Sequence, residues 1–142
     1  MSLNQGSRTE TYMTRWAILR RLSALGAVVG ILAVAFGIRE VAGPDGAVAQ
    51  YSGTALYAAM IYAGWYVLAP SLRPPIAAGL AVGFCWLVEF FQLSGVPAAL
   101  SERSILARLA LGVTFDPTDL LWYALGVLPL LAVHGAWRSR MS

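Results

Sequence analysis

Lysine is missing altogether from the 142 residues, cysteine and histidine occur once each, and charged residues make up only 12% of the chain. Each scarcity removes a class of protein. A single cysteine, Cys85, excludes an internal disulfide framework and any Cys-rich metal site; set in an apolar run, it reads as a small buried hydrophobe rather than a reactive thiol. His134 stands far from any cluster of His, Cys or carboxylate residues, so no metal-ligand spacing forms around it, and its place near the end of the last apolar run suggests an interface position. The charged fraction is about half that of an ordinary soluble domain. With 58% hydrophobic residues and a mean hydropathy of +0.67, the composition points to a membrane protein. All ten basic residues are arginine, and they flank apolar segments without the interleaved aromatics of a nucleic-acid groove, so no nucleic-acid partner is expected.

What is present is a set of long apolar runs. At roughly 20 residues per crossing, the length accommodates one domain of about four or five spans and no separate soluble catalytic domain. The reading is an all-α integral membrane fold with four transmembrane helices: Trp16–Ile38, Thr54–Ala69, Pro75–Leu93 and Thr118–Trp137. Helices are required because a backbone in lipid must satisfy its own hydrogen bonds. Residues 1–15 form a polar tail without apolar periodicity, residues 16–137 the single domain, and residues 138–142 a short cytoplasmic tail. Ala47-Val48-Ala49 imitates a signal-peptide cleavage site. Yet the preceding run is longer than a usual signal core, and Arg39, Glu40 and Asp45 intervene, so span one is expected to persist as a membrane helix.

Charge placement sets the orientation. With the N-terminus inside, seven arginines (Arg8, Arg15, Arg20, Arg21, Arg73, Arg138, Arg140) lie on the cytoplasmic side and three (Arg39, Arg103, Arg108) on the outer side, as the positive-inside rule requires for four spans with both termini cytoplasmic. Of the acids, only Glu10 is inside; Glu40, Asp45, Glu89, Glu102, Asp116 and Asp119 belong to the outer half. Small residues spaced four apart (Gly26 and Gly30, Gly79 and Gly83, and Ala55, Ala59 and Ala63) suggest close helix pairing. The stiff turn Pro70 to Pro75 makes spans two and three antiparallel neighbours.

Three polar elements interrupt the apolar pattern. Glu89 and Gln92 share one face of span three, and Glu89 lies about 21 Å along that helix from Pro75, in the outer leaflet. A carboxylate there costs a few kcal/mol facing lipid, so it should face the bundle with a partner or take a proton. Next, Ser101 to Gly112 reads as one interfacial or re-entrant helix capped by Ser101. Its Arg103 and Arg108 are suited to pairing with Glu89 and Asp119, or to receiving an anionic group; snorkelling to the headgroups is the alternative for Arg108. Finally, Asp116-Pro117-Thr118-Asp119 reads as a helix start, Asp116 the N-cap and Asp119 the capping-box acid, with Asp119, Tyr123 and Gly126 forming a stripe toward Glu89 and Gln92.

These residues carry a resemblance. Gly37-Ile38-Arg39, Gly53-x-x-Leu56-Tyr57-Ala58, Glu89-x-x-Gln92, Arg103, Arg108-Leu109-x-Leu111-Gly112 and Phe115-x-x-x-Asp119-Leu120 with Tyr123 and Gly126 resemble a bacterial multi-pass membrane family known as domain of unknown function 2809. That family is similar in turn to the VanZ-like proteins, named after a teicoplanin-resistance protein. The resemblance covers roughly Phe36 to Gly126 and implies architecture, not a reaction. The family pattern has an acid where this chain has Thr54, and VanZ-like proteins have Asn where it has Tyr123.

The reading that follows is a non-enzymatic protein of the bacterial cytoplasmic membrane. Its outer-leaflet polar pocket comprises Glu89, Gln92, Arg103, Arg108, Asp119 and Tyr123, with Arg39 a further candidate, and takes an anionic membrane lipid or an envelope ligand. No catalytic residue, metal or cofactor is assigned, since no nucleophile sits by a base and no phosphate-cradling glycine loop occurs. Two alternatives stand beside it: a transport or accessory subunit using Glu89 as a proton or coupling site, and a purely structural small membrane protein. Association with a second copy or another membrane protein is open to the small-residue faces.

Overall fold

The computed structural model describes residues 5–140, with side chains from residue 9. Residues 1–4 and 141–142 of the expected tails lie outside the described residues. The fold is all-α: α1 (Gln5–Ala42), α2 (Ala47–Leu68), α3 (Pro74–Gln92), α4 (Val96–Arg103), α5 (Ile105–Leu111) and α6 (Pro117–Arg140). Three of these, α1 from Thr9 onward, α3 and α6, are long and apolar enough to cross a membrane. Helix α2 runs 22 residues without a charge, but Tyr51, Tyr57, Tyr62 and Tyr66, with Gln50, Ser52 and Thr54, dilute its apolarity.

Helix α1 begins eleven residues before the expected Trp16, so the polar segment from Gln5 to Arg15 is helical rather than irregular. At 1.5 Å per residue its 38 residues extend about 57 Å, well beyond a hydrocarbon core. It ends at Gly43, which adopts φ +81°, followed by Pro44; a left-handed glycine and then a proline stop a helix cleanly. Arg73 and Pro74 likewise start α3 after a short turn, which makes α2 and α3 adjacent and antiparallel as expected.

The core is built around α2. Ala58, Tyr62 and Tyr66 of α2, Ala77, Ala81 and Cys85 of α3, and Tyr123 and Val127 of α6 form one buried cluster. Cys85 is free and fully buried, the small core residue its surroundings suggest. Helix α6 approaches α2 so closely at Gly126 that a Cβ there would lie 2.0 Å from the carbonyl oxygen of Ala55. The alanine stripe of α2 therefore serves α6, and Gly126 faces α2 rather than α3. The two glycine pairs behave otherwise: side chains at Gly26, Gly30, Gly79 or Gly83 would meet open space, so these stripes mediate no packing within the chain.

Among the described residues, α1 packs against no helix but α2. Its inward stripe is Ala17, Ala24, Val28, Ile31, Ala35 and Ile38, spaced three, four or seven apart as one helical face requires, while its other large side chains are exposed. Near the opposite end, the Arg20 guanidinium donates to the Pro70 carbonyl in the α2–α3 turn.

Residues 94–116 form a helical hairpin, not one continuous interfacial helix. The chain turns extended at Ser104, whose Oγ accepts the Ala107 N–H and caps α5. Ser101, expected as the cap, instead donates its hydroxyl to the Gly112 carbonyl and closes the hairpin. The break follows because a serine hydroxyl capping the next turn competes with helix continuation.

Candidate functional site

The polar residues converge at one end of the molecule, where α1 and α3 finish and α2 and α6 begin. Glu89 is the most enclosed of them, at 0% exposure. Its Oε1 accepts the Asp116 N–H at 2.7 Å and its Oε2 accepts the Tyr123 hydroxyl at 2.9 Å. Asp116 caps α6 through its Oδ1, which takes the Thr118 N–H, while its Oδ2 accepts from Gln50 of α2. Phe90 stacks on Phe115 and Trp86 donates its indole N–H to the Leu120 carbonyl, so α3 grips the start of α6 on both sides of Glu89.

This arrangement corrects the expected capping box. In such a box the acid three residues into the helix reaches back to the N-cap N–H. Here Glu89, 27 positions earlier in the chain, takes that N–H and leaves Asp119 without the local partner. A buried group from another helix outcompetes the local acid because its own desolvation is relieved by the bond. Glu89 is thus a structural clasp: both carboxylate oxygens are engaged by α6.

Gln92, one turn further along, donates its Nε2 to the Leu111 carbonyl at 2.8 Å. Gly112 makes room for that amide, since a Cβ at its φ of +69° would come within 2.6 Å of Nε2. Tyr57 of α2 donates to the Ala110 carbonyl. These two bonds hang α5 over the bundle and enclose a cavity of about 500 Å³ between α1, α2 and α5.

Five of the seven candidate residues line this cavity: Arg39, Gln92, Arg108, Asp119 and Tyr123. Arg39 and Arg108 are exposed and form its rim; Gln92, Tyr123 and Thr54 are buried and form its floor. Ile31, Leu32, Phe36, Leu56, Met60 and Leu109 give it apolar walls. Glu89 sits behind the floor and does not line it. Arg103 is exposed and outside the cavity, and its expected pairing with Glu89 does not form. Neither Arg39 nor Arg108 makes an ion pair or hydrogen bond among the described residues.

Two acceptors in the lining side chains are left over. Gln92 Oε1 and Asp119 Oδ1 are buried without a hydrogen-bond partner. A buried acceptor deprived of a donor costs about 1–3 kcal/mol; two donors of α2, the Trp65 indole N–H and the Tyr66 hydroxyl, are likewise buried without a partner, but neither residue lines this cavity.

The sequence reading passed over Gln50 and, although it met Thr54 and Tyr57 within the family motif, assigned neither of them to the site. It also missed a second cluster at the other end of the bundle, where the Tyr62 hydroxyl lies 3.1 Å from His134 Nδ1 and the Tyr66 ring packs on the imidazole. His134 is accordingly half-buried against α2 rather than simply interfacial. The signal available was the 62–66 pair of tyrosines one helical turn apart.

Residues 44–127 match the family described as "Protein of unknown function (DUF2809)". The chain belongs to this family. The match takes in α2 to α5 and the first half of α6, hence Glu89, Gln92, Arg103, Arg108, Asp119 and Tyr123, but stops short of α1 and Arg39. No solved structure matches the chain. A family of unknown function and three apolar helices together describe an uncharacterised membrane protein.

Proposed function

We propose that this DUF2809 protein is a four-span protein of the bacterial cytoplasmic membrane that binds the anionic phosphate group of a membrane lipid or lipid-like envelope molecule in the cavity beneath α5. One observation carries the reading: Arg39 and Arg108 border the same apolar-walled cavity, and neither guanidinium has a partner among the described residues. Guanidinium forks match phosphate oxygens, and the apolar walls suit an acyl or isoprenoid chain. Helix α2 is the fourth span in this reading, because it carries no charge over 22 residues and lies between antiparallel neighbours α1 and α3. The division of the arginines, seven on the expected cytoplasmic side against three on the other, supports an outer-leaflet cavity with both termini in the cytoplasm. The exposed Ile105, Leu106 and Leu109 of α5 then face the interfacial region. The VanZ-like resemblance favours a ligand of the cell envelope.

The test is retention of phosphatidylglycerol by the purified protein, measured by native mass spectrometry against diacylglycerol with the same chains. The Arg39→Ala, Arg108→Ala double variant is expected to lose at least tenfold in phosphatidylglycerol retention, and Arg103→Ala to retain it fully. Wild-type retention by the double variant would sink the proposal.

A further inference from the structure

The residues lining the cavity hold two kinds of unserved atom, and they are opposite in kind. The rim offers donors, the guanidinium groups of Arg39 and Arg108; Gln92 and Asp119 hold acceptors, Gln92 Oε1 and Asp119 Oδ1, that are covered and that no group among the described residues serves. A bare phosphate satisfies the first set and leaves the second untouched, since it too is an acceptor.

Neither acceptor finds its donor among the described residues. The Gln92 amide nitrogen is fixed on the Leu111 carbonyl, which orients the other end of the amide away from that contact. Gln92 is only 9% exposed, so bulk water does not stand in freely. The N–H that a capping box would have provided to Asp119 is occupied by Glu89. Asp119 moreover brings a carboxylate into a cavity with apolar walls, and a carboxylate there is best complemented by a group that is both cationic and a donor. An ammonium has three donors and no acceptor; a trimethylammonium has the charge and no donor at all.

We infer that the ligand carries a primary ammonium beside its phosphate, the chemistry of an aminoethyl phosphodiester headgroup, with the phosphate at Arg39 and Arg108 and the ammonium between Gln92 and Asp119. This rests on the phosphate reading above and adds the second half of the headgroup. A rotation about its side-chain torsions turns the Asp119 carboxylate oxygen toward the ammonium, and the Thr54 side chain bonded to that carboxyl turns with it.

The experiment compares three lipids with identical acyl chains, phosphatidylethanolamine, phosphatidylcholine and phosphatidylglycerol, offered in competition to the full chain in detergent micelles and read by native mass spectrometry. Phosphatidylethanolamine is expected to be retained at least tenfold over phosphatidylcholine, which has the same phosphate and net charge without the donors. Asp119→Asn, close in shape, should reduce that ratio to near one. Equal retention of the ethanolamine and choline lipids by the wild-type protein overturns the ammonium inference and leaves the phosphate reading standing. Preference for phosphatidylglycerol over phosphatidylethanolamine also overturns it, in favour of a hydroxyl-bearing anionic head. Retention of none of the three overturns the phosphate reading itself. An Asp119→Asn variant that keeps the full preference overturns the assignment to Asp119.

Discussion

Helices α6 and α1 meet the same partner, α2, in contrasting ways. At the α6 seam the backbones touch: Gly126 lies against the Ala55 carbonyl, Tyr51 stacks on Trp122 at 5.3 Å, and Glu89 of α3 ties down the first turn of α6. At the α1 seam a single stripe of Ala, Val and Ile makes the contact, and near Arg39 the helices part to admit a cavity of about 500 Å³. The difference teaches where rigidity and where access reside. At the start of α6 the Glu89 carboxylate has a donor for each oxygen, whereas the cavity beside α1 is lined by two cations and two acceptors without partners among the described residues.

Substitutions at four positions bear on that contrast. The largest effect is expected at Gly126: Gly126→Val would drive side-chain carbon into the Ala55 backbone and cost about 3 kcal/mol or more, read as loss of the folded fraction in reversible denaturation from mixed micelles. Glu89→Ala comes next, at about 2–4 kcal/mol, because it strands the buried Asp116 N–H and the Tyr123 hydroxyl together. Glu89→Gln should cost less than about 1 kcal/mol, since the amide carbonyl keeps the N–H and the tyrosine can turn to accept from the amide nitrogen. Equal losses for Ala and Gln would mean that the negative charge, not the clasp, is what α6 requires.

Gly112→Ala should cost about 1–3 kcal/mol, from a φ of +69° that an alanine resists and from contact with the Gln92 amide. Its distinguishing readout is faster proteolysis between α5 and α6, because α5 would lose its hold on Gln92. The smallest effect is expected on the outward face of α1, where Gly30→Ala should be neutral or stabilising by about 0.5–1 kcal/mol, as for any exposed glycine within a helix. A clear loss there, measured in the same denaturation experiment, would show that α1 has a neighbour outside this chain and that the seam is only half of its packing.

Much of the site was legible because a polar side chain within an apolar run has few physical explanations. Glu89, Gln92, Asp119 and Tyr123 stand out on that ground, and helical spacing was enough to bring them to one end of the bundle. The partners were less legible. Spacing rules treat a helix start as a local event, so Asp119 seemed to close the box on Asp116; competition from Glu89, 27 residues away, is a tertiary fact. The same limit applies to the glycine pairs of α1 and α3, whose spacing matches a packing motif but whose direction is set by where α2 lies. Arg103 and Arg108 are only five residues apart, yet the extended backbone at Ser104 puts one outside the cavity and the other on its rim. Periodicity across 101–112 gave no warning of that break, since both halves are helical and the kink depends on which serine caps.

The link between Glu89 and the start of α6 also bears on assembly order. When α3 enters the bilayer ahead of α6, its Glu89 carboxyl group has neither of the partners it finally holds, and a polar side chain facing an apolar surrounding is costly. Arrival of α6 supplies both donors at once, an N–H from its unsatisfied first turn and a phenol one turn further on. The membrane-insertion cost of one helix is thereby relieved by the next, so docking of α6 is selective for a single depth and rotation: a helix displaced by one turn would leave the carboxylate bare.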